Sequence, residues 1–378
     1  MHSPKRHADG VRVVIAPDKF SGTLTAVEAA DAIAEGWLRS APGDEVIQVP
    51  MADGGPGFVD TLHAALGGEL LVVATASVGD WETQYEAVPA TLLKVADTVY
   101  LESAQVVGLD VAGNSDPQRR SSLGVGVLIA HALAAGARRI VVGVGGTSTH
   151  DGGAGLLAAL GASARGADLD DGPAAMRGLT DVDISAAREV LGTVELIVAT
   201  DVDIPLTGLF GATRTFGLQK GLAEEDLPWI DGTLEEFAGL VDRKAALEPG
   251  AGAGGGIGFG LMALGGVRRS GIDLVAEATG LREAIGRAGL VVTGEGAFDV
   301  TSRAGKVPAG VALAAQTAAV PCVVVAGRVD LGSREMRTLG VESAYSMTEL
   351  FGAAASLEHP ARVLADLSER VARTWSIG

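Results

Sequence analysis

Short runs of apolar, often β-branched residues alternate along the chain with longer stretches in which apolar residues recur every three or four positions. Buried parallel strands joined by amphipathic helices produce this alternation, so the pattern predicts an α/β fold. The predicted strands of this kind occupy residues 11–16, 45–49, 139–144, 195–200, 290–293, 322–326 and 342–346. One predicted helix follows the capping-box pair Thr25 and Glu28, and others occupy residues 123–135, 308–317 and the segment from residue 360.

The middle of the chain has a different pattern, because three short apolar runs follow one another too closely for helices to fit between them. They occupy residues 70–77, 84–90 and 98–102. Strands with such short connections pair in antiparallel fashion. The sequence therefore predicts a mixed sheet in this region.

Two ends that share one strand–helix rhythm around a different middle indicate an inserted domain. We expect a Rossmann- or flavodoxin-like parallel-sheet domain formed by residues 1–60 and 285–378. The insert, residues 61–284, is the expected second α/β domain, the one that contains the mixed sheet.

Charge and cysteine content narrow the classes of partner. The 378 residues carry 29 basic and 47 acidic side chains, a formal net charge of −18, which repels nucleic acids and anionic membranes. The single cysteine, Cys322, excludes an internal disulfide, and the polar start of the chain lacks an apolar signal core. We expect a cytoplasmic protein that binds a small molecule. Its oligomeric state stays open, a homodimer included.

A glycine-rich loop, GVGGTSTHDGGAG, joins a predicted strand to a predicted helix at residues 143–155. Free backbone N–H groups at a helix N-terminus bind anions, and Thr147 and Ser148 add hydroxyl donors. Asp151 stands where a helix N-cap belongs. The alternative is a structural turn in which the glycines only permit positive φ.

A second loop follows the predicted strand at residues 290–293 and contains Glu295 and Asp299. Pro308 marks the first turn of the next helix, so Lys306 lies just before that helix's N-terminus. A cation there opposes the helix macrodipole, which makes physical sense if a phosphate shares the space. The alternative is a lysine that faces solvent.

Two aspartates, Asp201 and Asp203, follow the predicted strand at residues 195–200. If the strand continues, their side chains share one face. Paired carboxylates hold Mg²⁺ or accept a hydroxyl proton. The alternative is a turn stabilised by aspartate side chains.

The first two predicted strands end in APDKFSG and MADGGPG, residues 16–22 and 51–57. Ligands of open α/β sheets bind beyond the carboxyl ends of the strands, so Asp18, Lys19, Ser21 and Asp53 are well placed for a small polar anion. A plain turn is the alternative for the second loop. The chain has no Walker loop and no convincing dinucleotide fingerprint, so its polar loops together point to a phosphate-handling enzyme.

The loops occur in an order that resembles the bacterial glycerate kinases of the type-1/type-2 family, which is distinct from the P-loop plant-type enzymes. The matching segments are APDKFSGTLTA, PMADGGPG, GVGGTSTHDGGAG, ATDVDIPLTG, FGLQKG, GAGAGGGIG, TGEGAFD and GKVP. The resemblance implies two α/β domains with an active-site cleft between them. It also implies ATP- and Mg²⁺-dependent phosphorylation of D-glycerate, with 2-phosphoglycerate favoured over 3-phosphoglycerate as the product.

Carried onto this chain, the resemblance implies a role for each loop. The expected substrate-binding residues are Asp18, Lys19, Ser21, Asp53 and Gly54. The expected nucleotide-binding residues are Gly145, Gly146, Thr147, Ser148, Gly294, Glu295, Gly296 and Asp299. Asp201, Asp203 and Lys306 are the expected catalytic residues, the two aspartates serving as base or Mg²⁺ ligands.

The chain also departs from the family pattern at several polar loop positions, which have become apolar or have changed type. These positions are Pro56, Val127, Ile204, Leu209, Leu218, Ala297 and Thr301. The family usually has Arg where Ala297 stands, and the loss of such a group removes a charge-assisted contact if that Arg touches ligand. Three alternatives remain open: a divergent glycerate kinase, a paralogue that phosphorylates another 2-hydroxy acid, and a non-catalytic binding protein.

Overall fold

The computed structural model describes residues 10–20, 22–76, 87–303 and 306–376. The strands are β1 (Arg12–Ile15), β2 (Glu45–Gln48), β3 (Glu69–Ala76), β4 (Ala87–Val95), β5 (Thr98–Glu102), β6 (Arg139–Gly143), β7 (Ser163–Arg165), β8 (Asp181–Asp183), β9 (Glu195–Ala199), β10 (Val267–Arg269), β11 (Leu290–Phe298), β12 (Cys322–Val329) and β13 (Ser343–Ser346).

The helices come in chain order between them. They are α1 (Ala26–Ser40), α2 (Phe58–Leu66), α3 (Ala104–Val107), α4 (Leu109–Ala112), α5 (Leu123–Ala134), α6 (Ala154–Ala159), α7 (Gly172–Ala175), α8 (Ser185–Leu191), α9 (Ala212–Phe216), α10 (Leu227–Val241), α11 (Ile257–Ala263), α12 (Gly271–Thr279), α13 (Leu281–Gly286), α14 (Val307–Thr317), α15 (Ser333–Thr338), α16 (Met347–Phe351), α17 (Ala353–Glu358) and α18 (Pro360–Trp375). Short 3₁₀ turns occupy Pro117–Arg119, Leu218–Lys220, Glu224–Asp226, Ala245–Leu247, Ala253–Gly255 and Val300–Arg303. Among the described residues, no helix has the length and apolar character needed to cross a bilayer.

The described chain divides into two compact units. The first unit comprises the residues up to Asp53, the segment Asp60–Leu66 and the residues from Ile272 onward. The second unit comprises Gly54–Val59 and Gly67–Gly271. Nearly all of α12 and residues 281–284 of α13, which lie before the expected boundary, group with the first unit in this division.

The first unit is built on a parallel sheet with the strand order β13-β12-β11-β1-β2. Counted within the unit, this order is 2-1-3-4-5, which is the flavodoxin-like doubly wound order. The predicted parallel-sheet fold is confirmed. The chain passes from β1 to β2 on one side and then to β11 on the other, so the topological switch point lies between β1 and β11.

Helices α1 and α18 pack against each other in the core of the first unit. The predicted capping box begins α1: the Thr25 hydroxyl accepts the Glu28 N–H, and the Glu28 carboxylate accepts the Thr25 N–H at 2.8 Å. A Cβ built on Gly36 would lie 1.9 Å from the Ala365 carbonyl oxygen. Glycine is therefore required at this helix contact.

The second unit is built on a mixed sheet with the order β10-β9-β6-β5-β4-β3. Strands β10, β9, β6 and β5 are parallel, whereas β4 pairs antiparallel with both β5 and β3. This confirms the mixed sheet that the short middle strands predict. Residue 77 of the first of these predicted strands and residues 84–86 of the second lie outside the described residues.

A buried carboxylate joins the N-termini of two helices in the second unit. Asp151 is fully buried, and its oxygens accept the backbone N–H and the hydroxyl of Ser122, both at 2.7 Å. They also accept the N–H groups of Gly153 at 3.0 Å and Gly155 at 3.2 Å. Ser122 is the N-cap residue of α5 and Gly153 that of α6. The prediction of Asp151 as the N-cap residue is therefore wrong, because Gly153 holds that position. The Asp151 carboxylate nevertheless satisfies helix N–H groups that otherwise lack partners.

Basic and neutral polar groups lie beside this carboxylate. The Lys220 ammonium, buried like Asp151, donates to the Thr147 hydroxyl at 3.2 Å and the Thr149 carbonyl at 3.1 Å. Burial lowers the pKa of Lys220 to about 7, against the opposing charge of Asp151. Burial likewise lowers the pKa of His150 well below its usual range. The ring is therefore neutral.

We expect Asp151→Asn to destabilise the second unit by about 3 kcal/mol or more, because an amide NH₂ replaces an acceptor that faces buried donors. Urea unfolding measures the loss. Asp116→Asn is the matched control, since Asp116 caps the exposed 3₁₀ turn at Pro117–Arg119 through the Gln118 N–H, and asparagine caps as well as aspartate. Equal effects of the two substitutions would contradict the role of Asp151.

Candidate active site

The carboxyl end of β1 brings Asp18 to the switch point of the first unit. Beyond β1 the chain stays paired with β11, because the Ala16 N–H donates to the Val292 carbonyl and the Asp18 N–H to the Gly294 carbonyl, both at 2.8 Å. Asp18 is 5% exposed, and its carboxylate lies 3.6 Å from the Lys19 ammonium. Burial raises the pKa of Asp18 to about 6, although Lys19 opposes the shift.

Asp53 joins this pair from the loop after β2. The Met51 N–H donates to the Pro17 carbonyl at 2.9 Å, which ties that loop to the end of β1. The charge of Asp53 contributes to the raised pKa of Asp18. The structure thus brings together Asp18, Lys19 and Asp53, three of the predicted substrate-binding residues. Ser21, another of the five predicted substrate-binding residues, lies outside the described residues.

Residues 294–298 are strand, where the sequence indicated a loop. β11 continues to Phe298, with Gly294 beside Val325 and Phe298 beside Val329 of β12. A Cβ on Gly294 would lie 2.3 Å from the Val325 carbonyl oxygen. The expectation of a phosphate-binding loop at Gly294 is therefore wrong in its secondary structure, because this glycine permits close strand packing.

Glu295 emerges from this strand extension as a buried carboxylate that is only partly compensated. It is 4% exposed; its Oε1 accepts the Ser302 hydroxyl at 2.5 Å, and its Oε2 lies 3.8 Å from the Lys306 ammonium. Burial raises the pKa of Glu295 to about 7. Ser302 and Lys306 oppose that shift, whereas the negative charges of Asp18 and Asp299 add to it.

Lys306 is the N-cap residue of α14, as the sequence predicts, and its side chain is 35% exposed. Pro308 occupies the first turn and supplies no N–H group. The ammonium of Lys306 is consequently the main group that this helix end offers to an anion. Its contact with Glu295 contradicts the alternative of a lysine that simply faces solvent.

The turn after β11 is organised by Asp299. Its carboxylate accepts the Thr301 hydroxyl at 2.6 Å and the Thr301 N–H at 2.8 Å. The hydroxyl contact lowers the pKa of Asp299, and the cations Lys306 and Arg328 add to this effect. Arg328 stands in register with Ala297 on the neighbouring strand, and its guanidinium pairs with the Asp330 carboxylate at 2.6 Å.

In the second unit, the Gly54–Gly57 segment lies over the carboxyl ends of β6 and β9. A Cβ on Gly54 would lie 2.4 Å from the Ala199 carbonyl, and one on Gly145 would lie 2.9 Å from the Gly55 Cα. A Cβ on Gly146 would meet Pro56 at 2.7 Å. The structure therefore brings Gly54, Gly145 and Gly146 together, and glycine is required at each position.

The hydroxyl groups of the same loop turn into the protein. Ser148 donates to the Val107 carbonyl at 2.9 Å, and the Thr147 hydroxyl accepts from Lys220. Both side chains are buried, whereas Gly145 is partly exposed and Gly146 exposed. The hydroxyl donors predicted for an anion thus serve the interior, and the accessible part of this loop is the backbone of the two glycines.

Asp201 and Asp203 do not share a strand face, and that prediction is wrong. β9 ends at Ala199, and the chain then turns because the Ile204 carbonyl accepts the N–H groups of Gly250 and Gly252. Asp201 is half-buried, and its Oδ1 accepts the Ser270 hydroxyl at 2.6 Å. Asp203 is exposed.

The described residues contain no group of three carboxylate, imidazole or thiol side chains arranged to hold a metal ion. Mg²⁺ needs less from a protein, since it usually binds through one or two carboxylates together with substrate phosphates. The oxygen donors of the Asp201–Asp203 loop, with Asp201 oriented by Ser270, fit that mode of binding.

Sequence reasoning missed three groups that position this machinery: Ser302 beneath Glu295, Ser270 beside Asp201, and Lys220 beneath the glycine loop. Each contacts a partner that lies at least seven residues away along the chain. Two of the three pairings lie about 70 residues apart, so no local pattern could reveal them. Lys220 stood within the family segment FGLQKG, which was the one available hint.

The first unit is a doubly wound α/β domain whose switch point holds carboxylates paired with two lysines. Such a site is typical of an enzyme that binds anions.

The sequence pattern of the glycerate kinase family matches residues 13–376. Glycerate 2-kinase from Escherichia coli is 37% identical, with 97% of this chain and 99% of that protein covered. Glycerate kinase from Bacillus subtilis is 36% identical, with 96% of each covered. The chain therefore belongs to the glycerate kinase family, a family of phosphotransferases.

The fold agrees with a solved member of this family. A crystal structure from Salmonella typhimurium LT2, described as a glycerate kinase 2, superimposes with a TM-score of 0.76 at 34% sequence identity. The match covers 96% of this chain and 98% of that one. The α/β architecture with its parallel and mixed sheets is thus confirmed beyond the strand pattern alone.

We expect Glu295→Gln to stabilise the protein more at about pH 8 than at about pH 5. The pKa of Glu295 is about 7 in the folded state against 4.5 for an ordinary glutamate, so the folded state binds more protons between these values and stability falls as pH rises through them. Above the folded-state pKa, the ionised Glu295 lowers the free energy of unfolding by up to about 3 kcal/mol. Glutamine removes this loss of stability.

Urea unfolding at both pH values measures this difference. Glu283→Gln is the control, because Glu283 is exposed and pairs with Arg287, the C-cap residue of α13. A Glu295→Gln variant whose stability relative to the native protein is the same at both pH values would contradict the buried, proton-binding character of Glu295.

Proposed function

We propose that this protein transfers the γ-phosphoryl group of ATP to D-glycerate and forms 2-phosphoglycerate. The observation that carries the proposal is the cluster of Asp18, Lys19, Glu295 and Lys306 at the switch point of the first unit, where doubly wound folds bind their ligands. The E. coli relative named glycerate 2-kinase supports the choice of the 2-hydroxyl group.

Lys306 is the proposed contact for the nucleotide phosphates. Phosphoryl transfer depends on positioning and on neutralising charge more than on covalent chemistry. A partly exposed ammonium at the N-terminus of α14 provides both, because the helix end adds to the positive potential. The backbone of Gly145 and Gly146 is the second proposed nucleotide contact, whereas Thr147 and Ser148 support that loop from inside.

Asp18, Lys19 and Asp53 are the proposed binding residues for the hydroxy acid. The Lys19 ammonium matches the carboxylate of glycerate, and the carboxylate of Asp18 can accept a hydroxyl proton. A base works best when its pKa lies near the working pH, and the burial that raises the pKa of Asp18 to about 6 meets this condition. We therefore propose Asp18 as the base that accepts the hydroxyl proton of the substrate. Asp201 and Asp203 are then the proposed residues that would hold the metal ion.

Charge balance supports a divalent cation in the reaction. In the first unit the carboxylates of Asp18, Asp53, Glu295 and Asp299 outnumber the cations that act on them, which are Lys19, Lys306 and Arg328. A polyphosphate meets net repulsion there unless a cation arrives with it. Asp201 and Asp203 would hold Mg²⁺, which when bound with the nucleotide would neutralise phosphate charge.

A cytoplasmic setting is part of the proposal. Cys322 is fully buried, and burial raises the pKa of its thiol to about 12. Such a thiol is inert and forms no disulfide. A homodimer stays an untested prediction.

The test is an ATP-dependent kinase assay over a panel of short hydroxy acids, with D-glycerate, L-glycerate, lactate and tartronate among them. We expect ADP release with D-glycerate and a product that enolase converts directly, since enolase accepts 2-phosphoglycerate. A product that needs a mutase first would indicate 3-phosphoglycerate. Preference for another acid would favour a paralogue, and tight binding without turnover would favour a binding protein.

We expect Asp201→Asn to lower kcat by about tenfold to a hundredfold, while the KM for glycerate changes little. The reason is that a neutral amide weakens a metal contact that matters most when charge develops on the transferred phosphoryl group. Steady-state kinetics at saturating Mg²⁺ measure both constants. Asp181→Asn is the control, since Asp181 is an exposed residue of β8. Unchanged turnover in Asp201→Asn would remove Asp201 from the mechanism.

A further inference from the structure

Ser302 is a fully buried hydroxyl group in the 3₁₀ turn Val300–Arg303, directly beneath Glu295. Its Oγ lies 2.5 Å from Glu295 Oε1, 3.5 Å from the Ala297 carbonyl oxygen and 3.1 Å from the Asp299 nitrogen. All three of these atoms are polar, so the Ser302 hydroxyl lies among hydrogen-bonding partners.

The direction of the hydrogen bonds at Ser302 follows from its donors and acceptors. A hydroxyl group has one proton and two lone pairs. The Asp299 N–H occupies one lone pair, and the shorter of the two acceptor distances directs the Ser302 hydroxyl proton toward Glu295 Oε1. A chain of hydrogen bonds thus runs from the Asp299 amide through Ser302 to one oxygen of Glu295.

The other oxygen of Glu295 faces a different partner. Oε2 lies 3.8 Å from the Lys306 ammonium, at the N-terminus of α14. A carboxylate has a broad torsion about its terminal bond, so the hydroxyl contact selects one orientation out of many. With Oε1 fixed by Ser302, Oε2 stays directed at Lys306.

Lys306 needs such an anchor. The helix dipole disfavours a cation at an N-terminus, and a flexible lysine that is one-third exposed has many other rotamers available. Glu295 supplies the opposing charge from a buried and therefore rigid position. The ammonium is thereby held in a position from which it can bind a phosphate group.

We propose that Ser302 is a positioning residue that fixes the Glu295 carboxylate and, through it, the Lys306 ammonium for the nucleotide phosphates. The link to phosphate rests on the function proposed above. The link from Ser302 to Glu295 rests on geometry alone, so the two can be tested separately.

The kinetic test compares Ser302→Ala with Ser302→Thr. We expect Ser302→Ala to raise the KM for ATP by about tenfold, the order of one hydrogen bond to a charged group, and to leave the KM for glycerate unchanged. Ser302→Thr restores the hydroxyl group and is expected to restore the KM for ATP. Ser368→Ala is the matched control, because Ser368 is also a fully buried serine of the first unit but donates to a helix carbonyl.

The second test reads Glu295 without any substrate. Infrared spectra recorded across a pH titration contain a protonated-carboxyl band that Glu295→Gln removes. In Ser302→Ala this band is expected to persist to higher pH than in the native protein, because the lost hydrogen bond favoured the ionised carboxylate. Ser302→Thr and Ser368→Ala are expected to titrate like the native protein.

The outcomes separate the two proposals. A shifted infrared titration with no kinase activity toward any acid would keep Ser302 as the positioning residue of Glu295 and reject the proposed reaction. An unshifted titration, or an equal rise of both KM values in Ser302→Ala, would overturn the positioning role. A Ser302→Ala effect that matches Ser368→Ala in every measurement would overturn it as well, since the hydroxyl would then be merely structural.

Discussion

Removing charged groups from water is the constraint on which both units depend, and the two units meet it in opposite ways. Asp151 accepts hydrogen bonds from four donors, which oppose the rise of its pKa on burial, and it fixes the N-termini of α5 and α6 together. Glu295 is buried as well but receives one hydroxyl group and one distant ammonium. Satisfaction makes the first carboxylate structural, whereas incomplete satisfaction leaves the second able to exchange its proton and its partner near neutral pH.

The glycine-rich loops allow backbone segments to pack closely at the ends of the strands. Gly54 and Gly294 allow backbone segments to approach carbonyl groups more closely than any side chain permits, at 2.4 Å and 2.3 Å from where a Cβ would stand. The glycines that resemble phosphate loops in the sequence therefore act as packing elements, since a side chain at either position would collide with a backbone carbonyl group.

The sequence predicted what local patterns encode. The buried strands, the capping box of α1 and the position of Lys306 before α14 all follow from spacing within a few residues. The extension of β11 to Phe298 does not follow from local spacing, because it depends on pairing with β12, which lies about 30 residues further on. The same holds for Asp201, whose environment is set by Ser270, and for Ser302, whose partner is decided by how the turn folds back on its strand. Features set by neighbouring residues could be predicted from the sequence. The pairing of polar groups that lie far apart along the chain could not.

The chain carries a formal charge of −18, yet it belongs to the glycerate kinase family, whose named substrate is an anion. The effects of distant and of nearby charges on a bound anion must therefore be considered separately. At physiological salt, charges more than about 8 Å apart in solvent are largely screened, so the global charge acts mainly on large polyanions that contact much of the surface. A small anion responds instead to the nearest groups. Lys19 and Lys306 each stand against a buried carboxylate, which holds the ammonium in place without the freedom of a surface lysine. The two ammonium groups and the raised pKa values of Asp18 and Glu295 therefore set the charge that a small anion meets in the first unit, more than the net charge of the whole chain does.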